Sequence, residues 1–338
     1  MPSTRPLRHL ISLHDLAQSE IDDLLDLSLR LKQRPGKATL ASKSVGLLFF
    51  RGSLRTRTSF EAAMNQLGGT TINLTAASDF WELESAPGAV MDGRAPEHVK
   101  DAAAVLSCYV NALAIRTKPA GAAWNVDRRD AEIRSWAEHS KVPVINMESA
   151  LWHPLQGLAD LMTLRETLGD VRGKTLSFVW TNSPSAASPT AVHSLMHVAL
   201  RSGMHVRVAN PPGYELDEEV WRQAQALASE HGGSATALGD PAAALRGAHV
   251  VYARSWHSLA DYGNPTLAAS RRARAGDWLI DERRMALGED AKLMHAMPVR
   301  RNLEVVDSVL DGPRSLVVRQ AENRLHSQKA VLWWLLGL

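Results

Sequence analysis

The chain has 338 residues, 45% of them hydrophobic and 22% charged, with a formal net charge of +2. This length exceeds what one hydrophobic core usually organises, so two domains are expected. No apolar run approaches the roughly 18 residues of a membrane helix, residues 1–5 show no signal-peptide pattern, and no dense basic stripe indicates nucleic acid. The single cysteine, Cys108, excludes an internal disulfide, and no cysteine and histidine cluster has metal-ligand spacing. We expect a cytoplasmic protein without metal or cofactor, with Cys108 as a buried thiol and neither nucleic acid nor membrane as a partner.

Apolar runs typical of buried strands alternate with helical patterns along the chain. The expected strands are 45–50, 70–74, 112–115 and 142–146 in the first half, and 175–180, 205–209, 248–253 and 291–295 in the second. Helical patterns include 102–110, 190–200, 218–228 and a final apolar helix at 322–336. A long helix is expected from His153 to Thr167, with Pro154 near its first position, where a missing N–H costs nothing. The alternation predicts an α/β protein built from parallel sheets flanked by helices.

A dinucleotide-binding enzyme is the natural alternative for such a pattern. No Gly-x-Gly-x-x-Gly sequence follows any of the eight expected strands. No Gly-x-Ser-x-Gly elbow and no Walker loop occurs either. The absence of these motifs argues against a dinucleotide-binding enzyme, a Walker-type nucleotide-binding protein and a serine hydrolase of the Gly-x-Ser-x-Gly type.

The most informative segment is the turn between strand 45–50 and the helical pattern around Phe60. It carries Ser53, Arg55, Thr56 and Arg57. The first N–H groups of a helix lack intrahelical partners, the helix dipole favours an anion there, and each arginine can add a bidentate bond. The segment therefore predicts a phosphate site, although by itself it fits a solvated basic turn equally well.

Four segments together resemble the aspartate/ornithine carbamoyltransferase superfamily. Ser53–Arg57 resembles its carbamoyl-phosphate loop, and Arg116 closes the apolar run 112–115. The His-Pro-Leu-Gln at 153–156 resembles the family's His-Pro-x-Gln, and the segment 295–302 resembles its His-Cys-Leu-Pro-x-Arg. The segments occur in the family's order, and the likeness runs from about residue 8 to the C-terminus.

The resemblance implies the transcarbamylase fold, in which bridging helices join two α/β domains with parallel sheets. A carbamoyl-phosphate domain is expected at 1–152, to which a C-terminal helix within 319–338 returns. An acceptor amino-acid domain is expected at 153–318.

The resemblance also assigns roles at the site. Catalysis is implied for His153, Arg116, Thr56, Gln156 and Arg300. Binding of carbamoyl phosphate is implied for Ser53, Leu54, Arg55, Thr56, Arg57, Trp81, Arg116, His153, Gln156, Met297 and Arg300. Arg300 is expected to reach the phosphate when the domains close, whereas Arg301 is interpreted as structural. The segment 322–324 is interpreted as a helix cap with a salt bridge.

Such a site needs no protein base and no metal. The tetrahedral transition state requires preorganised donors for its oxyanion, and the departing phosphate can accept the proton of the attacking amine. The attacking δ-amine has an intrinsic pKa like that of lysine, about 10.4, and must arrive neutral.

Further segments resemble the N-acylornithine carbamoyltransferases of arginine synthesis. They are Trp81–Glu84, Val90–Gly93, Asn146–Glu148, Val251–Trp256 and Pro298–Asn302. Acceptor binding is implied for Glu148, Arg254, Pro96 and Arg94. The resemblance also implies a homotrimer in which Trp81 completes the site of a neighbouring subunit.

Pro96 favours N-succinylornithine over N-acetylornithine. The acetylornithine enzymes carry a glutamate at this position and the succinylornithine enzymes a proline, and a glutamate would repel the second carboxylate of a succinyl group. Arg94 is placed to offset that carboxylate.

Several residues depart from the family pattern in the acceptor half. Ser183 and Ser185 stand where a histidine and a cation are expected, Ala296 replaces a cysteine, and Arg254 replaces a lysine. Ornithine or another amine therefore remains an alternative acceptor, and a catalytically silent family member remains an alternative of another class.

Overall fold

The computed structural model describes residues 7–34, 40–185 and 187–337. The chain divides into two compact units: Met1–Pro119 with Val126–Leu155 and Arg324–Leu338, and Ala120–Asn125 with Gln156–Asn323. The sequence analysis predicted domains at 1–152 and 153–318, with 319–338 returning to the first. This division into functional domains stays a prediction. Residues 1–5, which bear on the signal-peptide expectation, lie outside the described ranges. Within those ranges, no helix combines the length and apolar character that a membrane crossing requires.

The first unit contains a four-stranded parallel sheet with the order β2-β1-β5-β6. Its elements, with the short helix at its boundary, are α1 (Gln18–Gln33), β1 (Ser44–Phe49), α2 (Leu54–Gln66), β2 (Thr70–Thr75), β3 (Leu83–Glu84), β4 (Glu97–His98), α3 (Val99–Leu106), β5 (Ala112–Arg116), α4 (Trp124–Asp127), α5 (Ala131–His139) and β6 (Val144–Glu148). β3 and β4 pair in parallel as a separate two-stranded sheet. The inner strands β1 and β5 are almost continuously buried, as expected for a parallel sheet covered on both faces.

The second unit contains a five-stranded parallel sheet with the order β11-β10-β7-β8-β9. The remaining elements are α6 (Pro154–Leu168), β7 (Thr175–Trp180), α7 (Thr190–Arg201), β8 (His205–Ala209), α8 (Glu218–His231), β9 (Ser234–Leu238), α9 (Pro241–Leu245), β10 (Val250–Arg254), α10 (Pro265–Ala273), α11 (Glu282–Met285), β11 (Lys292–Met294), α12 (Asp307–Leu310) and α13 (Val317–Leu336). The strand order reverses direction between β7 and β10. In open α/β sheets, ligands bind outside the carboxyl ends of strands at such a reversal.

The predicted α/β architecture with two parallel sheets is confirmed, and each of the eight expected strands is present. The prediction missed β9, whose sequence Ser-Ala-Thr-Ala-Leu is partly exposed because it forms the edge of its sheet. α6 and α13 each begin in one unit and end in the other, which agrees with the expected bridging helices.

The prediction that Cys108 is a buried thiol is wrong. α3 ends at Leu106, earlier than the apolar pattern 102–110 indicated. The Ser107 hydroxyl donates to the Ala103 carbonyl at 2.6 Å, and a turn follows that leaves Cys108 exposed.

Candidate active site

In the first unit, Ser53 caps α2 and leaves the start of this helix open to an anion. Its Oγ accepts a hydrogen bond from the Thr56 N–H at 3.2 Å, while its extended backbone keeps it outside the helix. The first turn of α2 contains no acidic residue, so the positive end of the helix dipole is not compensated locally. Leu54 turns its side chain outward with 76% exposure, so only its backbone faces the capped end.

The Thr56 hydroxyl accepts hydrogen bonds from two arginines. Its fully buried hydroxyl oxygen lies 3.3 Å from Nη1 of Arg116, at the end of β5, and 2.5 Å from Nη2 of Arg324 in α13. Both guanidiniums are thereby fixed beside the first turn of α2. This arrangement concentrates positive charge at the start of α2, where the phosphate site is predicted. Because α2 already begins at Leu54, Arg55, Thr56 and Arg57 lie in its first turn and not in a turn before the helix, as the sequence analysis expected.

Arg324 corrects the interpretation of residues 322–324 as a helix cap. α13 begins at Val317, so these residues lie inside the helix. Arg324 is only 4% exposed and joins the predicted donor residues, which the sequence reasoning missed. No local signal distinguishes Arg324, because the first half of α13 is rich in polar residues.

Glu148, at the end of β6, lies among the arginines. Its carboxylate forms ion pairs with Arg116, at 2.5 Å from Nη2, and with Arg51, at 3.3 Å from Nη2. His153 Nε2 lies 4.0 Å from the same carboxylate. Glu148 thus offsets part of the local positive charge, and its predicted contact with the acceptor stays a prediction.

Burial holds the pKa of His153 well below its usual range, and Arg324, Arg116 and Arg51 lower this pKa further, against the opposing influence of Glu148. The imidazole is therefore neutral at neutral pH and has one N–H to donate. A neutral imidazole can still stabilise an oxyanion by hydrogen bonding.

Asp130 holds the loop that leads into His153. Its carboxylate accepts hydrogen bonds from the Ser149 hydroxyl at 2.7 Å and from the Ala150 N–H at 2.9 Å. Burial raises the pKa of Asp130 to about 6. The loop before α6 is thus fixed by a buried carboxyl group.

Arg57 does not join the cluster around Thr56. Its guanidinium donates to the Thr75 hydroxyl at 2.7 Å and lies 4.3 Å from the ring centroid of Phe49. These contacts tie α2 to β1 and β2. Binding of phosphate by Arg57 stays a prediction.

In the second unit, Asp160 orients Gln156. The Gln156 Nε2 donates to Asp160 Oδ1 at 2.7 Å, and Asp160 also accepts from Gln320 Nε2 at 2.7 Å and from the Tyr252 hydroxyl at 2.9 Å. A carboxylate only accepts hydrogen bonds, so the amide group of Gln156 must face it. The buried Oε1 of Gln156 then has no hydrogen-bond partner among the described residues and is available to accept a hydrogen bond from a ligand.

A buried histidine holds the turn after β11. The backbone N–H of His295 donates to Gln320 Oε1, and its Nε2 lies 2.8 Å from Glu304 Oε2. Its Nδ1 accepts from the Met297 N–H at 2.9 Å, so Nδ1 is unprotonated and Nε2 carries the proton donated to Glu304. Met297 has a φ of +54°, and its carbonyl accepts from Arg254 Nη1 at 3.4 Å. The network thus fixes the backbone of Met297, a residue to which the resemblance assigns binding of carbamoyl phosphate.

Arg300 is held by the two serines that depart from the family pattern. Its Nε donates to the Ser183 hydroxyl at 3.1 Å and its Nη2 to the Ser185 hydroxyl at 2.6 Å. Arg301, in contrast, pairs with the carboxylates of Asp307 and Asp311. The interpretation of Arg301 as structural agrees with these contacts.

Residues 81–98, here called the acceptor loop, are tied together within the first unit by a hydrogen bond and a strand pair. The Trp81 indole donates to Glu97, the residue after Pro96, at 2.8 Å, and β3 pairs with β4 beside it. Trp81 is 57% exposed, and Arg94 is exposed with a 3.4 Å ion pair to Glu82.

No group of three His, Cys, Asp or Glu side chains in the described ranges could hold a metal ion.

Comparisons with known proteins identify the family of this chain. Residues 8–166 match the model for the carbamoyl-phosphate-binding domain of aspartate/ornithine carbamoyltransferases, and residues 173–335 match the model for the Asp/Orn-binding domain. The chain belongs to the aspartate/ornithine carbamoyltransferase family. It is a carbamoyltransferase, as the four motif segments predicted.

Relatives of this carbamoyltransferase cover nearly its whole length. It is 39% identical to the N-acetylornithine carbamoyltransferase of Xanthomonas campestris pv. campestris over 98% of both chains. It is 40% identical to the ornithine carbamoyltransferase of Parafrankia sp., over 97% of this chain and 96% of the relative. An acetylornithine transcarbamylase complexed with acetylcitrulline is 38% identical, with a TM-score of 0.95, over 98% of this carbamoyltransferase and all of that chain.

A glutamate-to-proline variant of an N-acetyl-L-ornithine transcarbamylase is also similar. That structure, complexed with carbamyl phosphate and N-succinyl-L-norvaline, is 39% identical with a TM-score of 0.94, over 97% of this chain and all of that one.

Proposed function

We propose that this carbamoyltransferase moves the carbamoyl group of carbamoyl phosphate to the δ-amine of an N-acylated ornithine, with N-succinyl-L-ornithine favoured over N-acetyl-L-ornithine. The products would be the N-acylcitrulline and phosphate, in arginine biosynthesis. The observation that supports this choice of acceptor is the hydrogen bond from Trp81 to Glu97, because Glu97 directly follows Pro96 in the chain and the bond joins that part of the acceptor loop to the tryptophan.

Overall identity does not distinguish the acceptors, because an acetylornithine enzyme and an ornithine enzyme are 39% and 40% identical to this chain. The choice between these acceptors therefore depends on residues of the acceptor loop. Pro96 brings no negative charge against a succinyl carboxylate. The similar glutamate-to-proline variant with bound N-succinyl-L-norvaline supports this assignment by analogy.

The described donor residues support a mechanism based on positioning and charge. The start of α2 with Ser53, Arg55 and Arg116 would bind the phosphate, and the neutral His153 with Thr56 would donate to the oxyanion. The δ-amine attacks the carbonyl carbon, the bond to the phosphate oxygen breaks, and the phosphate takes the proton of the amine. Gln156 Oε1 and the Met297 carbonyl would accept hydrogen bonds from the carbamoyl amide.

Incubation of the purified protein with carbamoyl phosphate and a panel of amines tests this proposal. The panel contains N-succinylornithine, N-acetylornithine, ornithine and putrescine, with phosphate release as the measurement. Turnover confined to ornithine or putrescine would contradict the N-acyl acceptor. No release above background with any amine would identify a catalytically silent family member.

A Pro96→Glu variant is expected to shift selectivity toward N-acetylornithine. The added carboxylate repels a succinyl tail, and we expect the ratio of kcat/KM for the two substrates to change by about tenfold or more. A Pro96→Gln variant is the matched control, because glutamine has nearly the same volume as glutamate but no charge. Equal ratios in all three proteins would remove Pro96 as a determinant.

We further propose a homotrimer in which Trp81 completes the acceptor pocket of a neighbouring subunit. Trp81, Val90 and Met91 are 57%, 79% and 42% exposed, an apolar surface on one loop that a second copy would cover. Mixing inactive Arg55→Ala and Trp81→Ala chains should restore part of the activity, because some mixed sites contain neither substitution. Full activity of a demonstrated monomer would refute the shared site.

A further inference from the structure

Asp130 stands directly before α5, where an aspartate usually caps a helix, but its side chain makes no hydrogen bond to the first turn of that helix. Its φ of +52° lies in the left-handed region, which is unfavourable for a residue with a side chain. The residue is also buried, and a buried carboxylate is unfavourable unless its oxygens accept hydrogen bonds. Asp130 therefore stabilises a segment other than its own helix.

That segment is the loop before α6, which is a closed turn. The Ser149 N–H donates to the Trp152 carbonyl at 3.0 Å, and the Trp152 N–H donates to Ser149 Oγ at 3.3 Å. Asp130 Oδ1 accepts from the N–H groups of Ala150 and Leu151, at 2.9 and 3.3 Å. Asp130 Oδ2 accepts from the Ser149 hydroxyl at 2.7 Å. Three donors of the loop thus converge on one carboxylate.

The hydrogen bonds of Ser149 require Asp130 to be an acceptor. Ser149 Oγ already accepts from Asn146 Nδ2 at 3.0 Å and from the Trp152 N–H, which uses both of its lone pairs. Its single hydrogen is directed at Asp130 Oδ2, at 2.7 Å, because the Trp152 carbonyl is more distant at 3.3 Å. A protonated carboxyl group accepts more weakly and adds a donor where the loop presents only donors. The loop is therefore fully hydrogen-bonded only when Asp130 is ionised.

We propose that Asp130 is a positioning residue for His153, because its carboxylate fixes the loop that sets the direction of the imidazole. His153 lies between Trp152, the last residue of this turn, and Pro154, the first residue of α6. A donor to an oxyanion accelerates the reaction only if it is held in place before the charge develops. The inference rests on the proposed function, in which the neutral imidazole donates to the oxyanion, and it deepens that function by naming what holds the donor.

The charge of Asp130 is lost within an accessible range of pH. Burial raises its pKa to about 6, against the lowering influence of the hydrogen bonds from the loop and of the charge of Arg134. The pKa of Glu132, also on α5, is raised to about 7 by burial and by Asp130. The parts of the chain that hydrogen-bond with Asp130 or Ser149, residues 149–152 and Asn146, carry no ionisable side chain.

Asp130→Asn and its matched control Ser140→Ala test the positioning role. Asparagine removes the charge and places an NH₂ group among the donors of the loop. Ser140→Ala removes hydrogen bonds to Val142 and Ser107 at the other end of α5. With whichever N-acylornithine the wild type turns over faster, we expect Asp130→Asn to lower kcat about tenfold or more at about pH 8, with a smaller change in KM. Ser140→Ala should keep kcat near the wild-type value.

The pH dependence distinguishes positioning from a general loss of structure. The ratio of the wild-type kcat to that of Asp130→Asn should approach one as the pH falls to about 5, because both proteins then lack the charge. Protonation of the attacking amine lowers both rates equally and cancels in this ratio. A ratio that stays constant over this range, or an Asp130→Asn variant with wild-type kcat, would overturn the proposal. Ser149→Ala, which removes one donor to Asp130, serves if Asp130→Asn does not fold, and wild-type kcat in that variant would overturn the proposal equally.

Hydrogen exchange of the loop amides, followed by mass spectrometry of peptides that cover residues 149–152, separates the positioning role from the proposed function. We expect the protection of these amides to be lost in Asp130→Asn and kept in Ser140→Ala. Equal protection in Asp130→Asn and the wild type would overturn the role of Asp130. A wild type without turnover of any N-acylornithine would refute the proposed function, and the exchange result would then decide whether Asp130 fixes the loop.

Discussion

Replacement of Arg55 by alanine is expected to lower kcat/KM for carbamoyl phosphate by about two orders of magnitude, or roughly 2–3 kcal/mol of transition-state binding. Arg55 is the second residue of α2, two positions after the Ser53 cap, where the helix start already favours an anion. Its guanidinium would add a charge-assisted bond to a desolvated phosphate. Steady-state kinetics with varied carbamoyl phosphate measure the effect.

Arg301→Ala is the matched control for Arg55→Ala. It removes the same charge from an exposed ion-pair network with Asp307 and Asp311, where pairs of this kind contribute little to stability. We expect its kcat/KM to stay near the wild-type value. A kcat/KM of Arg55→Ala equal to that of this control would remove Arg55 from the phosphate site.

The second large effect is expected from Asp160→Asn, which should lower kcat by about 10- to 100-fold with a smaller change in KM for carbamoyl phosphate. Asp160 accepts hydrogen bonds from Gln156, Gln320 and Tyr252. Gln156 and Gln320 share Oδ1, whereas Tyr252 uses Oδ2. An asparagine replaces this charged acceptor by a neutral amide, whose oxygen holds the two glutamines more weakly and whose NH₂ group cannot accept from them at all, so Gln156 is no longer forced to direct its Oε1 away from residue 160. The carbamoyl amide would then lose an oriented acceptor in the transition state.

Tyr252→Phe is the control that separates orientation from stability. It removes one hydrogen bond to the same carboxylate but leaves the bond between Gln156 and Asp160 intact. We expect it to lower the free energy of unfolding by about 1 kcal/mol, measured by denaturant unfolding, with kcat close to wild type. If Asp160→Asn kept wild-type kcat, or if both variants lost kcat equally, the orienting role of Asp160 would be wrong.

The sequence alone predicted the fold class and the order of the motifs, because both depend on local patterns. The mostly apolar runs 45–50, 112–115 and 175–180 indicated buried parallel strands, and the structure has β1, β5 and β7 there. The helix that follows His153 was equally readable, since first turns use neighbouring residues. The start of α2 was not, because the helix already begins at Leu54 and includes residues that the sequence analysis placed in a preceding turn. Local patterns did not predict β9, because an edge strand is only partly buried. They also did not predict the exposure of Cys108, because α3 ends at Leu106, before the apolar pattern does.

Which distant side chains meet was decided only by the tertiary structure. Arg324 reaches Thr56 across 268 positions, and nothing near either residue in the sequence indicates the pair. Likewise, Ser183 and Ser185 appeared in the sequence as the loss of a cation, whereas the structure shows them holding Arg300, more than a hundred positions later. Local patterns determine which residues are helical, extended or buried, but hydrogen-bond partners depend on side-chain directions that become fixed only when helices and strands pack.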